Sequence, residues 1–106
     1  MQATKAFNLG VGYLENGELD MALLAFSQAI RLDPKMAQAF NGRAVVYALR
    51  GELDKAIADS EESLRLDPGD PEFYKTRGYI YDRLGDEAKA QADLGQAAAL
   101  EGQPSS

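Results

Sequence analysis

The stretch of sequence that decides the fold is residues 37–70, AQAFNGRAVVYALRGELDKAIADSEESLRLDPGD. Its first half has apolar residues at the three- and four-residue spacing of an amphipathic helix, and Gly51 then supplies the permissive backbone that ends such a helix. A second helical run begins at Leu53 and stops at Asp67-Pro68, because a residue before proline is disfavoured in the α region. Residues 37–70 therefore predict a helical hairpin.

The same pattern recurs every 34 residues along the chain. Gly17, Gly51 and Gly85 are 34 residues apart, and Asp33-Pro34 recurs as Asp67-Pro68. No gap interrupts the period, so three units follow one another at 3–36, 37–70 and 71–104. We expect two helices in each unit, near 4–15, 19–32, 37–49, 53–66, 71–83 and 87–100.

The predicted fold is therefore all-α, an α-α superhelix (solenoid) of three stacked helix-turn-helix hairpins with six helices. A single hairpin cannot bury its apolar face, so the units have to stack on one another. We expect one domain over residues 1–101 and a flexible tail over residues 102–106, GQPSS.

This repeat resembles the tetratricopeptide repeat family, whose period is also 34 residues. The residues that carry the resemblance are Leu9, Gly10, Tyr13, Ala22, Phe26, Ala29 and Pro34 in unit one, Phe40, Ala44, Tyr47, Ala56 and Pro68 in unit two, and Tyr74, Gly78, Tyr81, Ala90, Leu94 and Ala97 in unit three. The resemblance implies a right-handed superhelix whose first helices line a concave surface. It also implies that partner-binding side chains lie at the second, fifth, ninth and twelfth positions of each unit, here Thr4, Phe7, Val11, Leu14, Gln38, Asn41, Val45, Ala48, Glu72, Lys75, Tyr79 and Asp82.

Three of these residues suggest how a partner is bound. Phe7, Val11 and Leu14 lie at three- and four-residue spacing and so share one face of the first helix. They are either ordinary core residues or an exposed apolar stripe that takes up a peptide or helix of another protein, which predicts an interaction adaptor. The alternative is a scaffold that forms homo-oligomers through the apolar face of the first repeat.

One specialisation of the family is not expected here. Its chaperone-binding members hold a C-terminal carboxylate with a clamp of Lys, Asn and Arg side chains. The matching positions in this sequence are Phe7, Val11, Gly42, Glu72 and Thr76, and none carries the required side chain. Glu72 would repel a carboxylate, so we do not expect a binder of chaperone tails of that type.

Composition argues against several other functions. The chain has no Cys and no His, which excludes zinc sites built on thiolate or imidazole and removes the commonest general base. We expect no catalytic residues, metal or cofactor. The net charge of −6 makes nucleic acid and anionic membranes unlikely partners. The sequence has neither a signal peptide nor an apolar run of about 20 residues, so we expect a cytoplasmic protein.

Comparison of the units predicts two structural features. Leu9 and Ala25 of unit one are both replaced by charged residues in the later units, which predicts two partly buried ion pairs, Arg43–Asp59 and Arg77–Asp93, and an apolar contact in unit one. The outward face of the second helix is apolar in units one and two, at Leu19, Leu23, Ile30, Leu53, Ile57 and Leu64. The equivalent residues of unit three are Glu87, Gln91 and Ala98. We expect the array to end at this polar face.

Overall fold

The computed structural model describes residues 2–102 and contains, within that range, six α-helices and no strand. The helices are α1 (Gln2–Glu15), α2 (Leu19–Leu32), α3 (Ala37–Leu49), α4 (Leu53–Leu66), α5 (Pro71–Arg83) and α6 (Glu87–Glu101). The predicted all-α architecture and helix ranges are confirmed. Gly102 closes α6 by donating its N–H to the carbonyl of Ala98 at 2.9 Å, and the rest of the predicted tail, 103–106, lies outside the described residues.

Each hairpin turns at a glycine with left-handed backbone. Gly17, Gly51 and Gly85 have φ of 75°, 81° and 84°, a region that residues with a Cβ rarely adopt. The amide after each glycine then returns to the end of the preceding helix, as in Glu18 N–H to Tyr13 O at 2.9 Å. This cap satisfies carbonyl groups that a helix end otherwise leaves without partners.

The connections between hairpins are built on aspartate. Asp33 accepts the backbone N–H of Lys35 at 3.1 Å, and Asp67 accepts that of Gly69 at 3.2 Å. Asp70 then caps α5 by accepting the N–H of Glu72 at 2.9 Å. These local bonds set the direction in which each hairpin joins the next.

The stack of units is held together by small residues packed around a few large ones. The ring of Phe26 on α2 is fully buried between α1 and α3, where it faces Gly10 on one side and Gly42 on the other. A Cβ on either glycine would lie 2.7 Å from ring carbons of Phe26. Further along, Ile80 of α5 packs on Ala44 and other residues of the second unit. Contacts therefore join neighbouring units in the order of the repeat.

The two predicted ion pairs are present. Arg43 donates to both carboxylate oxygens of Asp59, at 2.7 and 2.9 Å, and Arg77 binds Asp93 with two bonds of 2.8 Å. The Asp59 side chain is 10% exposed and that of Arg43 22%. Hydrogen bonding to Asp59 raises the pKa of Arg43 above its ordinary value, although burial opposes the shift.

The Arg43–Asp59 pair joins units as well as helices. Arg43 also donates to the hydroxyl of Ser27 in unit one, at 3.3 Å, and its guanidinium lies 5.8 Å from the ring centroids of Phe40 and Tyr47. The equivalent position in unit one, Leu9, is 53% exposed, so the apolar contact predicted there buries little surface.

The outward faces of the second helices behave as predicted. The apolar residues of α2 and α4 on this face are half-buried or buried against the next unit. On α6, Glu87, Gln91 and Ala98 are exposed.

The Phe26 contact predicts a difference between two glycines on the same helix. Gly10→Ala is expected to lower the free energy of unfolding by about 1–3 kcal/mol, because the fully buried Phe26 ring has no room to move away from the new methyl group. Gly12→Ala is the matched control, since a Cβ there meets nothing within 4 Å, and it is expected to stabilise the protein by about 0.4–1 kcal/mol. Urea denaturation measures both. Equal stabilities of the two variants would contradict the packing.

The Arg43–Asp59 pair predicts that substitutions at these two positions have strongly non-additive effects on the free energy of unfolding. Arg43→Leu alone is expected to cost about 3 kcal/mol, because it leaves a buried carboxylate without its partner. Adding Asp59→Ala, which recreates the Leu and Ala of unit one, is expected to recover most of that loss. The exposed Arg65–Glu62 pair on α4 serves as control and should show a much smaller coupling in the same urea experiment. Additive effects at 43 and 59 would show that the two charges act independently.

Candidate protein-interaction groove

The first helices of the three units, α1, α3 and α5, lie side by side and enclose a cavity of about 300 Å³. We call this cavity and its lining the groove. It is lined by Phe7, Val11, Leu14, Phe26, Gln38, Asn41, Gly42, Val45, Asp70, Glu72 and Phe73. The groove thus draws on all three units, which is the arrangement that stacking of the hairpins imposes.

One side of the groove is apolar. Phe7, Val11 and Leu14 of α1 are each half-buried and pack on the cluster formed around Phe26. The rings of Phe7 and Phe26 are 5.7 Å apart between centroids and inclined by 51°. These side chains therefore belong partly to the core and partly to the groove surface. The two alternatives considered from the sequence, core residues or an exposed apolar stripe, each describe part of their environment. Their packing against the core holds them in place before any partner arrives.

The rest of the lining is partly polar, and its two amide side chains, Gln38 and Asn41, carry both hydrogen-bond donors and acceptors. The Oδ1 atom of Asn41 is buried and has no hydrogen-bond partner among residues 2–102. Asp70 and Glu72 contribute carboxylates at the start of α5. Asp70 already accepts one backbone N–H as the cap of α5, and Glu72 is exposed.

The nearest cation is already bound by carboxylates. Lys75 lies one turn along α5, with its ammonium nitrogen 2.7 Å from a carboxylate oxygen of Glu101 on α6 and 3.4 Å from Glu72. Hydrogen bonding to Glu101 raises the pKa of Lys75 above its ordinary value, so the ammonium stays charged and paired. No Lys or Arg belongs to the described lining of the groove.

Seven of the twelve residues expected to bind a partner line this cavity, namely Phe7, Val11, Leu14, Gln38, Asn41, Val45 and Glu72. Thr4 lines a smaller neighbouring cavity of about 230 Å³ together with Phe7 and Gln38. Lys75, Tyr79 and Asp82 are not part of either lining.

The expectation for Ala48 is wrong. Ala48 is fully buried and packs with Ala44, Ala56 and Ile80, so it presents no surface to a partner. Its equivalent in unit one, Leu14, lies beside the groove, whereas Ala48 is covered by Ile80 of α5.

Four lining residues were not expected from the sequence: Phe26, Gly42, Asp70 and Phe73. Phe26 belongs to the lining from the second helix of unit one, because its ring lies beside Gly10 and Gly42; it is fully buried, so it shapes the cavity from beneath and presents no surface to a partner. Asp70 could have been found from the sequence. An aspartate before a proline is typical of a helix cap, and the first turn of the helix that Asp70 caps, α5, faces the groove.

Within residues 2–102, no group of three or more Asp and Glu side chains is arranged to hold a metal ion. None of the helices described above combines the length and the apolar character needed to cross a lipid bilayer.

Comparison with known proteins agrees with this architecture. A family profile described as "Tetratricopeptide repeat" matches residues 7–71, and a second profile with the same description matches residues 61–92. No curated protein matches the sequence significantly.

Several solved structures share the fold. A crystal structure of MamA is 29% identical with a TM-score of 0.85, over 94% of this chain and 58% of that one, so this chain spans less than two thirds of that protein. The first TPR of Spaghetti (RPAP3) bound to the HSP90 peptide SRMEEVD is 21% identical, with a TM-score of 0.91 over 97% and 82% of the two chains. The TPR2B domain of yeast Sti1, in a pHsp70 complex, is 24% identical, with a TM-score of 0.91 over 95% and 81%.

Proposed function

Because the chain belongs to the tetratricopeptide repeat family, we propose that it is a non-enzymatic adaptor whose groove binds a peptide or helix of a partner protein. The observation that carries the proposal is the groove itself, a cavity of about 300 Å³ that combines half-buried apolar side chains of units one and two with polar side chains of units two and three. A concave site with an apolar surface and a few convergent polar groups is the usual form of a binding site.

The free energy of binding would come from burial of the apolar surface that the groove leaves exposed. Burial of such surface contributes about 25 cal/mol per Å², and the side chains of Phe7, Val11 and Leu14 are already held by packing, so little ordering cost opposes it. A partner side chain that fills the cavity would complete a core that is open on this side.

The proposal excludes one kind of partner. Where the family's carboxylate clamp requires Lys and Asn, this groove has Phe7 and Val11, and the Phe26 ring occupies the space beside Gly42. Glu72 would face the incoming carboxylate. We therefore propose that chaperone tails with a free acidic terminus are not its ligands.

Selection from a phage library of random linear peptides tests the groove. Peptides that bind the purified chain are expected to lose at least about tenfold in affinity, or about 1.4 kcal/mol, on Val45→Gln, because the variant puts an amide into the apolar side of the cavity. Fluorescence polarisation measures the affinities, and circular dichroism checks that the variant folds.

The matched control is Leu24→Gln. Leu24 is 65% exposed on α2 and does not line the groove, so this variant should bind the selected peptides as the parent does. Selected peptides that bind Val45→Gln as tightly as the parent would contradict the proposal.

The alternative is a self-associating scaffold, and exposed leucines on the first hairpin favour it. Leu9 and Leu24 are 53% and 65% exposed there. The charge of the chain weighs against it, because a net charge of −6 opposes the approach of a second copy.

We expect light scattering after size exclusion to give a monomer of 11.5 kDa at every concentration tested. Leu9→Arg, which places the residue of positions 43 and 77 at this site, should leave that mass unchanged. A concentration-dependent dimer in the parent that is lost in Leu9→Arg would favour the scaffold instead.

A further inference from the structure

The charges around the groove are strongly asymmetric. Its lining carries two carboxylates, Asp70 and Glu72, and no Lys or Arg side chain. The cations on the neighbouring turns are already paired: the ammonium of Lys75 lies 2.7 Å from Glu101 and 3.4 Å from Glu72 itself, and Arg77 lies 2.8 Å from Asp93. The net charge of −6 adds to the same field.

The charged groups that a ligand meets are carboxylates, whereas the amides of Gln38 and Asn41 carry both donors and acceptors. The Glu72 side chain is 67% exposed, and within the protein its carboxylate is 3.4 Å from Lys75, which also binds Glu101. Lys and Arg side chains carry a positive charge together with hydrogen-bond donors and no acceptor. The side chain whose charge complements this end of the groove is therefore a cation.

The apolar side supports the same ligand. Val11 and Val45 line the same cavity as Glu72, so a side chain bound in the cavity can pack on apolar surface while its end lies near the carboxylate. Lys and Arg suit this path, because their aliphatic stems pack on apolar groups while the charged head remains at a polar rim. An apolar neighbour in the same peptide would fill the space beside Phe7 and Leu14.

We propose that the groove selects peptide segments in which an apolar anchor is followed closely by a Lys or Arg, and that it rejects acidic segments. This inference rests on the proposed function, since it specifies the ligand of the same groove. The ligand is opposite in charge to the acidic end of the HSP90 peptide SRMEEVD that the RPAP3 domain binds.

The test uses the peptides selected on the parent chain. The selected pool is expected to be enriched in Lys and Arg, and changing that residue to Glu in one synthetic peptide should weaken its binding at least about tenfold. The preference should shrink at high salt, because the peptide cation and the exposed Glu72 carboxylate interact through screened solvent.

Two variants that each remove one carboxylate test whether Glu72 is the source of the preference for a basic peptide. Glu72→Gln is expected to weaken the basic peptide several-fold and to leave the Glu-substituted peptide unchanged or slightly improved. Glu87→Gln removes the same charge from the first turn of α6, outside the groove, and should change neither peptide.

The two proposals fail in different ways. Peptides that depend on Val45 but show no excess of Lys or Arg, or that ignore Glu72→Gln, would overturn the charge selectivity and leave the groove as a binding site. If no selected peptide depends on Val45, both proposals fall.

Discussion

The structure depends on one buried ring. Phe26 enters the space between α1 and α3, and the two glycines that flank it allow both helices to approach to van der Waals contact with its faces. Because α1 and α3 belong to different units, this single side chain sets the spacing between them. The same ring forms part of the groove lining, so the shape of the binding surface follows directly from the packing that joins units one and two.

In the second and third units, charged side chains join the helices instead of a buried ring. Ser60 and Leu94 stand at the repeat position of Phe26, and neither provides a comparable buried ring. In these units a bidentate Arg–Asp pair joins the two helices of each hairpin, and Arg43 also reaches Ser27 of the preceding unit. Ion pairs in which both partners are hydrogen-bonded hold the two helices in one arrangement, because burying either charge without its partner would destabilise the fold.

Much of the fold could be predicted because its signals are local and repeat in phase. The left-handed turn at Gly51 and the Asp67-Pro68 stop each act within a few residues, and three copies of the turn and two of the stop mark the period. The joint replacement at positions 43 and 59 pointed to a contact that the structure contains. The predicted ranges of the helices differ from the observed ones by two residues or fewer.

The groove was harder to predict, because its surface is set by what covers each residue and not by its place in the repeat. Ala48 has a position equivalent to that of Leu14, but Ile80 of the next unit buries it. The bond between Lys75 and Glu101 joins positions that carry no charge pair in the other units, so comparison of the units could not predict it.

That last bond affects the charge of the concave face. The ammonium of Lys75 lies between two carboxylates, 2.7 Å from Glu101 and 3.4 Å from Glu72. Because the shorter bond is to Glu101, Lys75 balances the charge of Glu72 only in part, and the Glu72 side chain remains 67% exposed. A residue of α6, a helix that does not line the groove, therefore contributes to the charge beside it. Under the proposed selectivity for basic segments, the charge of the ligand depends in part on a residue outside the groove.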